Sequence, residues 1–172
     1  MGKEERSSTM ITVYHGGTER IENPLAKIGR KNLDFGHGFY VTRRLQQAKE
    51  WADRTSRQRL SSPIVNEYNL NLDGVIANCR YKKFEHYDAE WLHFIVACRN
   101  GYDSAQVFDC IEGGIANDRV VDTVEGYMNG TIDEEHALAE LSKHQPNNQI
   151  CLLNQQVVDK YLIFKTVKQD VE

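Results

Sequence analysis

The sequence predicts an α+β fold, in a single domain over residues 10–172. Segments typical of short strands are interleaved with helical segments in no regular order, which favours α+β over a repeated βαβ pattern. The length of 172 residues corresponds to one domain that can bury a core without disulfides or metal. Residues 1–9 (MGKEERSST) are polar and without pattern, so we expect a disordered leader, an alternative translation start or residues left from cloning there.

Composition and charge exclude several classes of protein. The charged fraction of 27% is ordinary for a folded domain, and the formal net charge of −4 argues against binding nucleic acid by bulk charge. No apolar segment approaches the roughly 18 residues that a membrane span needs. The four cysteines are far apart and include no CxxC pair, which argues against a disulfide scaffold or a zinc ribbon. We therefore expect a cytoplasmic protein that does not enter the membrane.

In the first half of the chain, three strands and one helix are predicted. Residues 11–15 are mainly apolar and end at a Gly-Gly pair, and residues 39–41 follow a glycine-flanked turn. Residues 66–72 alternate between apolar and polar side chains, as in a half-buried strand. Thr42 is the expected N-cap of a helix whose apolar face carries Leu45, Ala48, Trp51 and Ala52.

In the second half, helices and strands follow each other irregularly. The spacing of apolar residues predicts a helix around residues 91–96, and residues 107–111 are predicted to form a strand before a Gly-Gly turn. Thr131 and Glu134 form a capping box that opens another helix. The last strands are predicted at residues 150–153 and 162–167.

The first candidate functional feature is the VYHG segment at Val13–Gly16. A histidine that leaves a strand into two glycines is held on rigid backbone, and the glycines let a ligand approach the main chain closely. The alternative is a hairpin turn with an exposed His15 and no ligand.

The second feature is the segment DFGHGFYVT at Asp34–Thr42. Its two glycines permit positive φ, and the carboxylate of Asp34 can satisfy backbone donors of the turn. Phe39 and Tyr40 fall on opposite faces of a strand, so one can pack in the core while the other lines a cleft. The alternative is a tight turn followed by two core aromatics.

The third feature is the run of three amides at Asn147–Gln149, where a helix gives way to a strand. Gln149 and Cys151 are expected on one face of that strand and Ile150 on the other. The alternative is a polar loop.

The fourth feature is the segment GGIAND at Gly113–Asp118. The two glycines permit a sharp turn, and Asn117 and Asp118 are suited to cap a following helix. This structural interpretation is favoured. The functional alternative is a substrate-facing loop with Asp118 as its contact to the acceptor. Glu112 and Asp118 could also reach in from this loop to take part in the chemistry.

Together, these four blocks resemble the ADP-ribosyltransferase-like superfamily. The VYHG strand, the GxGFYxT strand leading into an AxxWA helix and the late polar residue opening a strand match the three active-site elements of its His-Tyr-Glu class. The resemblance is closer to a bacterial branch, an uncharacterised domain family often found near toxin–antitoxin or effector genes. That branch shows VYHG, RxxxDFGxGFYxT, GxIAxD and NNQ, which here extend over nearly the whole domain.

The resemblance implies a fold, an activity and partners. The fold consists of split antiparallel β-sheets with flanking helices around an NAD cleft. The activity is NAD-dependent mono-ADP-ribosyl transfer, a glycosyltransferase reaction, to an unknown protein or nucleic-acid acceptor. Such a protein acts as a toxin or an effector, in the cytoplasm or delivered to a host cytosol, and can have an antitoxin partner. NAD is the substrate, and the reaction needs no metal.

The resemblance also assigns roles to individual residues. His15 contacts sugar hydroxyls of NAD, and the backbone of Gly16 bonds the nicotinamide amide. Tyr40 stacks on the nicotinamide ring, and its neighbour Phe39 belongs to the same binding set. Arg30 is the candidate for the pyrophosphate, because a guanidinium fork matches phosphate oxygens.

Gln149 departs from the pattern of the class, which has a catalytic glutamate at this position. Its amide oxygen can still accept a hydrogen bond from a ribose hydroxyl, but it offers a dipole in place of a full charge. Losing one such preorganised group typically costs about 3–4 kcal/mol. The first alternative is therefore a catalytically degenerate module that binds NAD, ADP-ribose or a protein partner. The second is NAD hydrolysis without an acceptor.

A metal site at His86, Glu90 and His93 is also considered, because their spacing places them on one helical face. The apolar residues of the same segment define the buried side and leave these three toward solvent. We therefore expect no metal here.

Overall fold

The computed structural model describes residues 10–27, 29 and 31–169, with only the backbone described at Asp118. These residues contain six α-helices, a 3-10 helix at Asp103–Val107 and seven strands, and most strand pairings are antiparallel. The predicted mixture of helices and strands is confirmed. The strands are β1 (Ile11–Gly17), β2 (Phe39–Thr42), β3 (Ile64–Leu70), β4 (Tyr81–Lys83), β5 (Cys110–Gly113), β6 (Gln149–Leu152) and β7 (Leu162–Lys168). The helices are α1 (Leu45–Arg59), α2 (Leu72–Asn78), α3 (Ala89–Arg99), α4 (Asp118–Met128), α5 (Glu134–Leu141) and α6 (Gln155–Tyr161).

The elements belong to two compact units, each built from separated parts of the chain. Of the described residues, the first unit takes in 10–24, 41–79 and 156–169, and the second takes in the residues between them. The boundary between the units falls inside β2, after Tyr40. The predicted leader at residues 1–9 lies outside the described residues.

In the first unit, strand β1 is the partner of both β2 and β3. It pairs with β3 over its whole length, from Ile11 opposite Leu70 to Gly17 opposite Ile64, and β3 pairs in turn with β7. All these pairings are antiparallel. A small core lies where helix α1 packs on the strands, and its buried members are Ala48, Ala52 and Val65.

Helix α1 begins later than its sequence predicts. Its N-cap is Arg44, so the expected cap at Thr42 is wrong. The Thr42 hydroxyl instead accepts a hydrogen bond from the Arg44 backbone N–H at 3.1 Å and donates to the buried side chain of Gln47. Ala48 and Ala52 are buried as predicted, whereas Trp51 is half-buried.

In the second unit, β5 pairs in parallel with β4 and antiparallel with β6. The apolar face of α3 forms the centre of the core through Trp91, Leu92 and Ile95, as the spacing predicts. Helix α5 is capped by Asp133, whose carboxylate accepts from the backbone N–H three residues on. The predicted Thr131 capping box is therefore wrong, because an aspartate nearer the helix competes for the same donors.

Two predicted strands are displaced for local reasons. The strand predicted at 66–72 ends at Leu70, because the side chain of Asn71 accepts from Gly74 N–H and opens helix α2. The strand predicted at 107–111 is shifted to Cys110–Gly113, because a 3-10 helix occupies the preceding residues.

Candidate functional site

The VYHG segment lies on β1 with its residues divided between two faces. Successive side chains of a strand point to opposite sides, so Tyr14 and Gly16 share the face toward α1 and His15 lies on the other. His15 is directly opposite Asn66 of β3. The side chain of His15 therefore lies on the face of β1 opposite to helix α1.

Gly16 is a glycine because α1 packs directly against it. A Cβ at this position would overlap the carbonyl oxygen of Ala48 and would lie 2.9 Å from the backbone nitrogen of Ala52. The face of β1 at Gly16 is thus filled by helix backbone. Packing accounts for this glycine without a ligand, and a role for its backbone in binding NAD stays a prediction.

The face that carries His15 is braced by the segment that follows β1. The amide of Asn66 accepts from Ile21 N–H at 2.8 Å and donates to the Glu19 carbonyl at 2.9 Å. The hydroxyl of Tyr68 donates to the Ile21 carbonyl at 2.6 Å. These three hydrogen bonds fix residues 19–21 against β3, on the side where His15 lies.

Tyr40 is held by the turn that precedes it. Its hydroxyl donates to the Gly36 carbonyl at 2.7 Å and accepts from Phe35 N–H at 3.1 Å. Gly36 has a φ of +81°, a conformation that favours glycine. Because both bonds act on the hydroxyl, the half-buried ring is fixed in place at its far end, and burial raises the pKa of Tyr40 well above its usual value.

Phe39 lies on the other face of β2 from Tyr40. It is buried, which favours the core role that the alternative interpretation gives it. Its predicted contact with NAD stays a prediction.

Asp34 connects the turn to two distant segments of the second unit. Its buried carboxylate accepts from the side-chain Nε of Arg99 at 2.5 Å and from Ala116 N–H at 2.6 Å. The expectation that Asp34 bonds donors of its own turn is therefore wrong: it ties the turn to the end of α3 and to the GGIAND segment.

Asn147 completes the same network from the side of β6. Its side-chain oxygen accepts from Ile115 N–H at 2.9 Å. Ile115 precedes Ala116, so Asp34 and Asn147 hold adjacent backbone donors of one loop. Three of the four sequence blocks are thus bound to one another in the second unit, which gives a physical reason for their occurrence together.

Gln149 opens β6 opposite Gly113 and is 1% exposed. Neither its Oε1 nor its Nε2 has a hydrogen-bond partner among the described residues. Burying an amide without partners costs free energy, so each such group in a folded protein needs an explanation. In this site, an unpaired donor and an unpaired acceptor are presented by one side chain.

Gln149 and Tyr40 are brought to the same side of β6. By alternation Gln149 shares a face with Cys151, as predicted. The thiol of Cys151 lies beside the Tyr40 hydroxyl and 3.9 Å from the Phe35 carbonyl oxygen. Cys151 therefore connects the two residues that the sequence places in one site.

Tyr40 and Cys151 on this face, and Cys98 of α3 nearby, are uncharged at neutral pH. Burial raises the pKa of the Cys151 thiol far above its usual range and that of Cys98 to about 11. Tyr40 is likewise kept as the neutral phenol. A thiolate nucleophile is therefore not available beside Gln149, and chemistry at this face depends on dipoles.

Glu112 occupies a different position from the one expected. It lies within strand β5, not on a loop, and it is buried. Because Gly113 is opposite Gln149, alternation places Glu112 on the other face of the strands. Its carboxylate accepts from the Tyr81 hydroxyl, so within the second unit it does not share the face of Gln149.

Two predicted site residues, Arg30 and Asp118, have no described side chain. Arg30 lies outside the described residues, and Asp118 is described only as the first residue of α4, after the N-cap Asn117.

The described residues contain no group of three metal-ligating side chains. Glu90 pairs with Lys82 and His93 with Glu134, so these two members of the considered metal site have separate partners.

Sequence reasoning missed the bracing role of Arg99 and Asn147. Asn147 stood inside a recognised block, so its amide was a visible signal. No sequence signal marked Arg99, because its partner Asp34 is 65 residues away along the chain.

Comparison with known proteins gives a family without an assigned activity. Residues 11–164 match the family described as "Protein of unknown function (DUF3990)". No curated protein and no solved structure matches the chain. In the described part of the chain, none of the helices has the length and apolar character needed to cross a membrane. Since the match extends over most of its length, the chain belongs to the DUF3990 family.

Proposed function

We propose that this protein has an ADP-ribosyltransferase-like fold, binds NAD and transfers a single ADP-ribose to a macromolecular acceptor. The observation that carries the proposal is the buried amide of Gln149, which has no partner among the described residues and shares a face with the anchored ring of Tyr40. A ligand that brings hydroxyl groups to this amide would satisfy it. Ribose hydroxyls both donate and accept, so they fit its two unpaired atoms.

Each residue has a specific role in this proposal. The ring of Tyr40 stacks on nicotinamide and orients it, while its hydroxyl stays hydrogen-bonded to the backbone of Phe35 and Gly36. The oxygen of Gln149 accepts from the ribose 2′-hydroxyl. His15 contacts sugar hydroxyls, Gly16 contributes backbone groups to the nicotinamide amide, and Arg30 binds the pyrophosphate. Convergence of His15 with Gln149 on one molecule of NAD stays a prediction.

The reaction breaks the bond between nicotinamide and ribose and forms a bond from the acceptor nucleophile to the same carbon. Nicotinamide leaves as a neutral base, so no general acid is needed. Positive charge develops on the ribose, as in glycoside hydrolysis. An amide dipole stabilises this charge less than a carboxylate does. We therefore expect turnover to be slower than it would be with a glutamate at position 149, by a factor on the order of hundreds.

The test is to incubate the protein with labelled NAD and a cell lysate and then digest the labelled product with nuclease or protease. Gln149→Ala should abolish transfer and change NAD affinity little, because the contact matters mainly in the transition state. Gln149→Glu should keep or raise the rate. The matched control is Gln58→Ala, which removes an exposed amide of α1.

Transfer that survives Gln149→Ala unchanged would contradict the assignment of Gln149 as the reacting partner. Free nicotinamide without labelled macromolecules would indicate NAD hydrolysis. The digestion step then separates a protein acceptor from a nucleic-acid acceptor. A role as a toxin or an effector, with an antitoxin partner, belongs to the same proposal and depends on the acceptor found.

Tyr40 tests NAD binding separately from chemistry. Stacking of an aromatic ring on a base is worth about 1–3 kcal/mol, so Tyr40→Ala should weaken NAD binding about 5- to 150-fold. Tyr40→Phe keeps the ring and removes only the hydroxyl bonds to the turn. Unchanged affinity of a folded Tyr40→Ala variant in calorimetry would place the ring in the core instead.

A second candidate function is a binding module that has lost catalysis. The observation that favours it is the residue itself, since Gln149 supplies no charge for the transition state. This candidate predicts that the wild type binds NAD or ADP-ribose in calorimetry but neither labels an acceptor nor releases nicotinamide. It also predicts that Gln149→Glu acquires activity.

A further inference from the structure

The second unit contains a cavity that none of the four sequence blocks predicts. Its volume is about 590 Å³, within the range of small-molecule sites. It lies where the loop at residues 32–34 meets Arg99, the last residue of α3, and the final turn of α4. The cavity is therefore lined by the residues that lead into the turn holding Tyr40 and by the C-terminal ends of α3 and α4.

Arg99 presents free donors to this cavity. Its side chain is only 20% exposed, and its Nε is taken by Asp34 at 2.5 Å. The two terminal nitrogens of the guanidinium have no hydrogen-bond partner among the described residues. They form a planar fork of N–H groups, and such a fork matches the two oxygens of a carboxylate.

Glu125 presents the opposite charge on the same wall. It is exposed, lines the cavity and forms no ion pair with any cation of the described residues, Arg99 included. The C-terminal ends of α3 and α4 add partial negative charge at the same place. The charge of Arg99 is balanced by Asp34, but its terminal N–H groups can still donate to an anion, and Glu125 attracts a cation at another part of the wall.

The rest of the wall is neutral. Asn32 and Asn129 contribute side-chain amides, and Leu33 and Met128 contribute apolar surface. The Asn32 amide can accept and donate, whereas the Asn129 oxygen already accepts from the backbone N–H and the hydroxyl of Thr131, so Asn129 offers its Nδ2 as a donor. Apolar side chains pack against the carbon atoms of a ligand.

We propose that this cavity binds a small zwitterion of the amino-acid type. Its carboxylate lies on the free fork of Arg99, its ammonium group faces Glu125 and the helix ends, and its side chain packs between Leu33 and Met128. A ligand with only a carboxylate would face Glu125 and the buried Asp34 with like charge. A ligand with only an ammonium group would leave the Arg99 fork unpaired. The site is independent of NAD and of the proposed transfer.

The test is isothermal titration of the full chain with each of the twenty free amino acids. At least one should bind, and its carboxamide and its N-acetyl derivative should each bind at least about tenfold more weakly, since each removes one charge-assisted interaction. The two derivatives keep the side chain, so they isolate the zwitterion from packing. Equal binding of the parent and both derivatives would overturn the proposal, as would the absence of binding by all twenty.

Variants locate the site. Glu125→Gln removes an exposed charge. It should weaken binding of the amino acid at least about tenfold and leave binding of its N-acetyl derivative unchanged. Glu135→Gln, an exposed glutamate of α5 outside the cavity, is the matched control and should change neither. Arg99→Lys keeps a cation for Asp34 but removes the guanidinium fork, so it should also weaken binding of the unmodified amino acid. Binding that is unaffected by both Glu125→Gln and Arg99→Lys would place the ligand elsewhere and overturn the assignment.

Discussion

Asn66 in the first unit and Gln149 in the second are both amides buried on strands, at 0% and 1% exposure. Asn66 uses its oxygen and its nitrogen to hold the backbone of residues 19–21. Gln149 uses neither atom for any described residue. The first amide is explained by the fold that it holds together, and the second is not.

The difference shows how packing and chemistry divide between the two units. In the first unit, the motif glycine and the buried amide both have structural partners. In the second unit, Asp34 and Asn147 each accept from a backbone N–H of the loop at residues 115–116, whereas Gln149, two residues after Asn147, is left unpaired among the described residues. A buried polar group without a partner costs stability, so we expect it to be retained for a ligand.

The largest effect is expected at Gly16. Gly16→Ala places a methyl group into the backbone of α1 at Ala48, where no flexible side chain can move away. We expect a loss of at least about 3 kcal/mol in the free energy of unfolding, or failure to fold. The matched control is Gly17→Ala, whose methyl group would meet only His15 Nε2 at 3.9 Å. Urea denaturation measures both, and equal stability of the two variants would show that Gly16 is not a packing residue.

The next effect is expected at Asn66. Asn66→Leu leaves the N–H of Ile21 and the carbonyl of Glu19 without their side-chain partner, so we expect a loss of about 2–4 kcal/mol. Asn69→Leu, at a half-buried position of the same strand, should cost much less. If Asn66→Leu is as stable as the wild type in urea denaturation, the contrast between the two amides fails.

A third effect concerns the uncharged surroundings of Gln149. Burial raises the pKa of Cys98 from 9.0 to about 11, and Cys98 in turn raises that of Cys151. The folded protein keeps the Cys98 proton while the unfolded chain loses it, so this contribution is complete below pH 9 and is lost as the pH rises toward 11. Between pH 8.5 and 10.5 we expect Cys98 to account for about 2 kcal/mol of lost stability.

The measurement is urea denaturation at both pH values for the wild type, Cys98→Ala and the control Cys79→Ala, whose thiol is half-buried. The loss between the two pH values should be smaller in Cys98→Ala than in the other two proteins. The same loss in all three would mean that the thiol ionises equally in the folded and unfolded states.

The smallest effect on stability is expected at Gln149 itself. Gln149→Leu removes an unpaired amide and keeps most of its volume, so we expect stability to be unchanged or raised by about 1–2 kcal/mol. NAD-dependent activity should be lost in the same variant. A loss of more than about 1 kcal/mol in urea would show that Gln149, like Asn66, has a structural partner.

The elements predicted best are those decided by nearby residues. The buried face of α3 and the occurrence of strands β1, β6 and β7 follow from local apolar residues, whose spacing is set by the helix and strand periods. Helix starts were predicted less well, because at Thr42 and Thr131 a residue closer to the helix took the N-cap position. At α5 the choice depends on which side chain reaches the free N–H groups, and that of Asp133 does so. At α1 the N-cap Arg44 makes no side-chain capping hydrogen bond, so no capping side chain marks that start in the sequence.

The candidate site shows the same division. The amino-acid order is enough to place Phe39 and Tyr40 on opposite faces and Gln149 and Cys151 on one face, because strand alternation is a local property. The bonds of Asp34 to Arg99 and Ala116, the opposite face of Glu112 and the lack of a partner for Gln149 among the described residues become visible only in the folded chain. Those outcomes depend on which distant segments pack together, and a buried polar group can be counted as paired or unpaired only after that packing is known.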